Sequence, residues 1–253
     1  VDAETTYLIL NTTFNYDSSA TTSTKDDLAS LIATTISNYN TSDLQEFNSS
    51  FRHSKLTGLI DDTDSSILNN TTTVTMGKFF TPVVSSTSYT INYNNAFYNP
   101  YTGYNTAAGG IISSTGFYLD NSLETEYFFD DDGSGNLRIY SLSSSRVRTY
   151  FNTTAGTINY STGVISTTSL LISAVSDVDG VASLQIRVTA IPNSNDIVPV
   201  RNQILEIDTV NTTTGGNVDA QATTGLGYTV TSTGTTSTTT VTTPSSTSTS
   251  SAY

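Results

Sequence analysis

Few residues in this 253-residue chain have types and spacings that could do chemistry. The first group is Asp130-Asp131-Asp132-Gly133-Ser134-Gly135-Asn136. Closely spaced carboxylates followed by glycine turns can wrap a hard cation such as calcium in oxygen ligands. A complete loop of that kind needs a bidentate acid at its twelfth position, and Ser141 stands there. The run therefore reads as a solvated hairpin turn, and no metal ligand is assigned. Asp61-Asp62-Thr63-Asp64 is incomplete in the same way and reads as the turn that follows a helix. His53 is the only histidine, so a nucleophile triad or a multi-histidine metal centre would have to be built around it alone. Its neighbours Phe51, Arg52, Ser54 and Lys55 look like a helix surface. Glu124, Glu126 and Asp130 could supply the two carboxylates of glycoside hydrolysis, but no spacing singles out a pair. Gly133-Ser134-Gly135 lacks the third glycine and the following helix of a phosphate cradle. Asn48, Asn152 and Asn211 sit in Asn-x-Ser/Thr triplets, which arise by chance in a chain this rich in those residues. No catalytic residue, metal site or cofactor site is expected, and the chain reads as structural and not as an enzyme.

Composition narrows the function classes further. Cysteine is absent, which excludes disulfides, thiolate catalysis and cysteine-ligated metals. A net charge of −13 with 9 basic residues repels phosphate backbones and anionic lipid, so neither nucleic acid nor membrane is an expected partner. Only 12% of residues are charged, so Ser, Thr, Asn and Tyr must cover the surface, as suits extracellular or virion proteins. No apolar run reaches the length of a membrane-spanning helix, and Val1-Asp2-Ala3-Glu4 has neither an initiator Met nor the plan of a signal peptide. The chain is expected to be a fragment of a longer protein, a reading placed ahead of a mature protein processed to start at Val1 because residues 5–17 already read as a strand within a fold.

The elements that must position these residues follow from periodicity. Leu8, Leu10, Thr12, Phe14 and Tyr16 alternate across residues 5–17 as on a half-buried strand. Ser23 or Thr24 can cap a helix over about 24–39 whose apolar stripe is Leu28, Leu31, Ile32, Ile36 and Tyr39. Ser49 or Ser50 is the expected cap of a second helix carrying Phe51, Leu56, Leu59 and Ile60. Residues 71–84 read as a strand ending near Pro82. Beyond 85 the helical period is lost, and strands are expected at 88–93, 116–119, 137–142, 147–151, 163–175 and 182–190. Turn signals lie between them at Asn99-Pro100, Ala108-Gly109-Gly110, Asp132-Gly133, Ala155-Gly156 and Asp179-Gly180.

The expected fold class is α+β. A small α/β domain of strand, helix, helix and strand over 1–84 is followed by a β-rich domain over 85–210. A Thr/Ser-rich flexible tail over 211–253 completes the chain, with Asp219 as its only charged side chain. A Thr-rich strand that pairs only with a partner chain is the ordered alternative for that tail.

Three stretches carry a family resemblance: residues 51–70 (FRHSKLTGLIDDTDSSILNN), residues 130–138 (DDDGSGNLR) and residues 195–203 (NDIVPVRNQ). Over roughly Val1 to Thr209 the chain resembles the C-terminal part of the baseplate wedge protein of T-even-like contractile-tailed phages, a baseplate J-like family. Its Ser- and Thr-rich style is similar to versions from phages of marine cyanobacteria. The resemblance implies a late structural protein of the virion, assembled in the bacterial host cytoplasm into the tail baseplate. Copies would dimerise, link wedges into a ring around the hub and clasp other wedge proteins. The family's long N-terminal portion has no counterpart here.

Asn195, Asp196, Ile197, Val198, Pro199, Val200 and Arg201 are the candidate interface; their pattern fits an ordinary internal strand equally well, and the resemblance is what favours a dimer contact. Pro199 between two valines suits an edge strand, where the missing N–H costs no ladder bond and a partner can cover the edge. The alternative function is a secreted β-rich adhesin or carbohydrate-binding module, with or without a calcium requirement at Asp130 to Asn136, and a glycosidase fragment is third.

Overall fold

The computed structural model describes residues 4–104, 110–178, 181–200 and 202–219. β1 (Glu4–Tyr16) is followed by α1 (Lys25–Tyr39), a short π-helical turn (Asn40–Leu44), α2 (His53–Asp61) and β2 (Ile67–Phe80). The remaining strands are β3 (Thr90–Asn92), β4 (Ile112–Ser114), β5 (Phe117–Leu119), β6 (Tyr127–Asp131), β7 (Asn136–Leu142) and β8 (Arg148–Asn159). They continue with β9 (Val164–Thr167), β10 (Ile172–Val175), β11 (Ile186–Ala190), β12 (Gln203–Ile207) and β13 (Thr213–Val218). The structure is mixed and mostly β.

Local rules account for the first elements. Leu8, Leu10 and Phe14 alternate on β1 and are fully buried, each removing apolar area worth about 1.5–3 kcal/mol. In α1, Thr24 and Asp27 form a reciprocal capping box, and Leu28, Ile32, Ile36 and Tyr39 make the buried stripe. Leu31, expected on that stripe, is exposed on the helix flank.

Two sheets share one hydrophobic cluster. The first has the order β12-β1-β2-β11-β4, with β13 also pairing β1. β1 and β2 are antiparallel, whereas β12 and β13 run parallel to β1, along Glu4–Leu8 and Asn11–Tyr16 respectively. Between them the chain breaks away at Asp208, and the Thr212 hydroxyl accepts the Leu10 N–H that the ladder leaves open (3.2 Å). The second sheet has the order β10-β5-β6-β7-β8-β9-β3.

Several expectations need correction. Strands that follow residue 84, namely β4, β11, β12 and β13, hydrogen-bond within the sheet of β1 and β2, so that sheet does not close at residue 84. Residues 213–218, placed in the flexible tail, form a strand on the chain's own β1, because Gly216 lies flat against the Phe14 ring where any Cβ would stand 2.5 Å from Cζ. The rest of the tail, 220–253, lies outside the described residues, as do Ala108-Gly109 and Asp179-Gly180. Ala155-Gly156 is the interior of β8 and not a turn: a Cβ on Gly156 would meet the Ser166 carbonyl at 2.2 Å, so glycine permits close approach of β9. The single strand expected over 163–175 is divided between β9 and β10, at opposite regions of the second sheet.

Candidate functional site

The three consecutive aspartates do not converge on a common point. Tyr127-Phe128-Phe129 carries the chain into β6, so Asp130 and Asp131 continue a strand and address opposite sides of it. Asp130, 1% exposed, accepts from Arg138 Nε (2.8 Å) and Nη2 (3.2 Å), Arg148 Nη1 (2.6 Å) and the Tyr150 hydroxyl (2.9 Å). The guanidinium groups also stack on rings, Arg138 over Tyr150 at 4.3 Å and Arg148 over Tyr140 at 4.4 Å. Burial, opposed in part by nearby Arg138, and the Asp130 carboxylate push the Tyr150 phenol upward, which holds it as a donor.

Asp131 is fully buried and joins the sheets. Its Oδ1 accepts the amides of Ile111 (2.9 Å) and Ile112 (3.0 Å) at the start of β4, and its Oδ2 accepts from the Tyr160 hydroxyl (2.7 Å). Burial and then the Asp131 carboxylate drive the Tyr160 phenol strongly upward. Asp132 closes the turn from β6 to β7, taking the amides of Ser134 (2.7 Å) and Asn136 (2.9 Å) on Oδ1 and Asn136 Nδ2 (2.6 Å) on Oδ2. Burial would raise the Asp132 carboxyl, but these donors outweigh it and hold the group below the ordinary carboxylate range. Every one of these carboxylate oxygens already faces a donor, which leaves no shared oxygen cage for a hard cation. Among the described residues no cluster of three or more His, Asp or Glu could hold a metal. Asp130, enclosed by arginines, is likewise no partner for Glu124 or Glu126 in acid–base work. The preceding aromatic triplet was the signal that the aspartates belong to a strand.

Of the other acidic group, Asp61 accepts from Asn70 Nδ2 (2.7 Å), while Asp64 takes the Ser66 amide (2.9 Å) and hydroxyl (2.7 Å) to form the turn into β2. His53 is more than a helix-surface residue. It is half-buried, and its Nε2 donates to the Thr72 carbonyl of β2 at 2.7 Å, which ties α2 to the sheet. Asn152 and Asn211 are used locally, Asn152 accepting the Thr154 amide and Asn211 Nδ2 donating to Asp208.

The second helix begins later than its expected serine caps. Arg52 occupies the cap position without a side-chain bond to the helix, and Phe51 precedes the helix as a fully buried residue. The missing cap is supplied from the candidate interface. Asp196 Oδ1 accepts the His53 amide (2.9 Å), and its Oδ2 pairs with Arg52 Nη1 (3.0 Å). The His53 amide first, and Arg52 after it, hold the Asp196 carboxyl below its usual range. Ile197 exchanges both backbone bonds with Phe51 and is buried.

Segment 195–200 is therefore no edge strand. It has a single bridge, at Ile197, and regular pairing resumes only at Gln203, after a turn in which the Gln203 amide donates to the Val200 carbonyl (3.0 Å). Pro199, lacking an N–H, stands where ladder pairing stops. Asn195 is exposed, and Val198 and Val200 remain 51% and 41% exposed beside the anchored Asp196 and Ile197. Arg201 lies outside the described residues.

No curated protein matches the chain. Residues 4–78, under a third of the chain and covering β1, α1, α2 and most of β2, match the family model of the baseplate structural protein gp6, C-terminal domain III, and this similarity supports a structural role in a phage baseplate.

Proposed function

We propose that this chain is a structural subunit of a contractile phage tail baseplate that takes part in wedge assembly and in forming the ring around the hub. The observation that carries this reading is the match of the β1-α1-α2-β2 stretch to a baseplate structural domain. On this reading the strand, helix, helix and strand expected over 1–84 begin a small α/β domain whose sheet is completed by β4, β11, β12 and β13. The chain works through surfaces and not through a reactive group: its acidic run serves as internal fastening, and α2 is bound to the far end of the chain by Asp196.

The contact surface is centred on Val198 and Val200, and its partner is a second copy or another wedge protein. Asp196 and Ile197 anchor this segment to α2, so the two exposed valines are presented on a backbone already held in place, which lowers the entropy lost on association. In a two-fold dimer the same patch is used twice, so one charge introduced there is buried twice.

Sedimentation of the chain and of Val200→Asp tests the contact. The parent dimerises with rising concentration, and the variant stays a folded monomer with an unchanged circular dichroism spectrum. A parent that remains monomeric at high concentration, or a variant that dimerises as well as the parent, refutes this surface as the self-contact.

A further inference from the structure

Three tyrosines stand together on the loop that follows β3, and nothing in the fold so far requires them to be there. Tyr98 and Tyr104 meet edge to face with centroids 5.4 Å apart at 90°, and Tyr101 and Tyr104 do the same at 5.3 Å and 85°. All three keep substantial solvent exposure, at 38%, 63% and 40% for Tyr98, Tyr101 and Tyr104. The neighbouring Phe97 takes the core position instead, packing edge to face on Tyr93.

The loop is held at both ends and in the middle. The Phe97 amide donates to the Tyr160 carbonyl (2.7 Å) and the Tyr98 amide to the Ile191 carbonyl (2.9 Å). Asn99 Nδ2 (3.1 Å) and the Gly103 amide (2.9 Å) both donate to the Gly133 carbonyl, in the turn that Asp132 closes. The Tyr104 amide returns to the Tyr101 carbonyl (3.0 Å), completing a turn that sets the rings against one another. The result is an aromatic corner whose ring faces are positioned before anything binds.

The chemistry of an occupant follows from charge. Ring faces are the negative part of the aromatic quadrupole and attract cations. From residue 79 to residue 137 there is no Lys, Arg or His, while Asp120, Glu124, Glu126, Asp130, Asp131 and Asp132 fall within that stretch. Of these, Asp132 is the one beside the corner, because Asn99 and Gly103 are bonded to the Gly133 carbonyl of its turn, and the chain as a whole carries a net charge of −13. The chain itself uses the corresponding interaction twice, laying Arg138 on Tyr150 and Arg148 on Tyr140. Among the described residues no cation lies over Tyr98, Tyr101 or Tyr104, and most of the basic side chains are paired with carboxylates elsewhere.

We infer that the Tyr98–Tyr101–Tyr104 corner is a docking site for an arginine side chain presented by a partner protein. The guanidinium stacks on the exposed ring faces, and the neighbouring Asp132 turn and the chain's net negative charge favour its approach. Its test reads the binding of a cation and not self-association, so it stands or falls independently of the self-contact at Val198 and Val200.

The full chain with ring-labelled tyrosine, titrated with N-acetyl-arginine amide and followed by nuclear magnetic resonance, tests the assignment. The neutral isostere N-acetyl-citrulline amide and tetramethylammonium are run alongside. The expected result is saturable shifts confined to Tyr98, Tyr101 and Tyr104, in the millimolar range for a single side chain. Citrulline should bind roughly tenfold more weakly, the ratio set by loss of the cation–ring attraction. Tyr101→Phe retains binding and Tyr101→Leu loses it, with the melting temperature as a check that both are folded. Equal responses to arginine and citrulline, shifts spread over other tyrosines, or no shift overturn the inference. A response to tetramethylammonium but not to arginine overturns the guanidinium assignment and identifies a site for quaternary ammonium groups.

Discussion

Replacing Asp130 with Asn keeps the shape of the side chain and removes its charge, so it isolates what the buried carboxylate does. In the parent, Asp130 faces two guanidinium groups and a phenol, with the Arg138 and Asp130 side chains 8% and 1% exposed. The variant leaves Arg138 enclosed with no carboxylate opposite it, although its Nη2 still reaches the Asp131 carbonyl at 2.6 Å. Breaking a buried pair from one side costs about 3–5 kcal/mol, because the remaining charge loses its carboxylate without gaining water in its place. For a domain of this size that corresponds to a fall in melting temperature of roughly 6–20 °C. Arg148 is one-third exposed, so water can replace it, and Arg148→Ala should cost less, about 1–2 kcal/mol. The double variant Asp130→Asn, Arg138→Gln should recover part of the loss, since no unmatched charge remains. Urea unfolding followed by circular dichroism, with calorimetry, measures all three. A loss below about 1 kcal/mol in Asp130→Asn, or a double variant at least as unstable as the single one, refutes the buried-pair account. Calcium should leave the parent's melting temperature unchanged; a rise that depends on Asp130 would restore the cation loop.

Two further outcomes follow from the anchoring contacts. Asp196→Ala removes the cap of α2 and should cost about 0.5–1 kcal/mol, the low end of capping losses because the side chain is 40% exposed. The folded Asp196 carboxyl lies below its unfolded value of about 3.9, so its contribution is complete above that pH and is lost as pH falls through the folded value. The gap between parent and variant should accordingly close in acid, and a gap that widens there contradicts the capping role. Gly216→Ala forces a methyl to within 2.5 Å of Phe14 and 2.9 Å of Lys25 and should cost about 1–3 kcal/mol, with faster amide exchange along β13. Gly215→Ala meets nothing within 4 Å and should be nearly neutral, so equal effects at the two glycines would refute the packing of β13 on Phe14.

What the amino-acid order determined by itself was local. Alternation at Leu8, Leu10 and Phe14 specified the buried face of β1, the Thr24–Asp27 spacing specified the start of α1, and Asp132-Gly133 specified a turn. Each depends on neighbours within a few residues, whose periods and backbone preferences are set by the same short stretch. The surface chemistry was legible in the same way, since the acidic balance and the lack of cysteine need no fold to be read.

Only tertiary structure decided where those elements found their partners. β12 and β13 lie parallel to β1 from almost the other end of the chain, and nothing in Thr213–Val218 marks it as the strand that covers Phe14. Asp196 became the cap of a helix 143 residues away, although Ser49 and Ser50 stood closer in sequence. The aspartate run changed meaning in the same way. Read as a string it is a dense acidic loop, but once β6 runs through it Asp130 faces the arginines, Asp131 holds the second sheet to the first and Asp132 closes the turn. A strand sends successive side chains to opposite sides, so adjacency in sequence became separation in space, and the partners that neutralise each charge were chosen by the packing of the sheets.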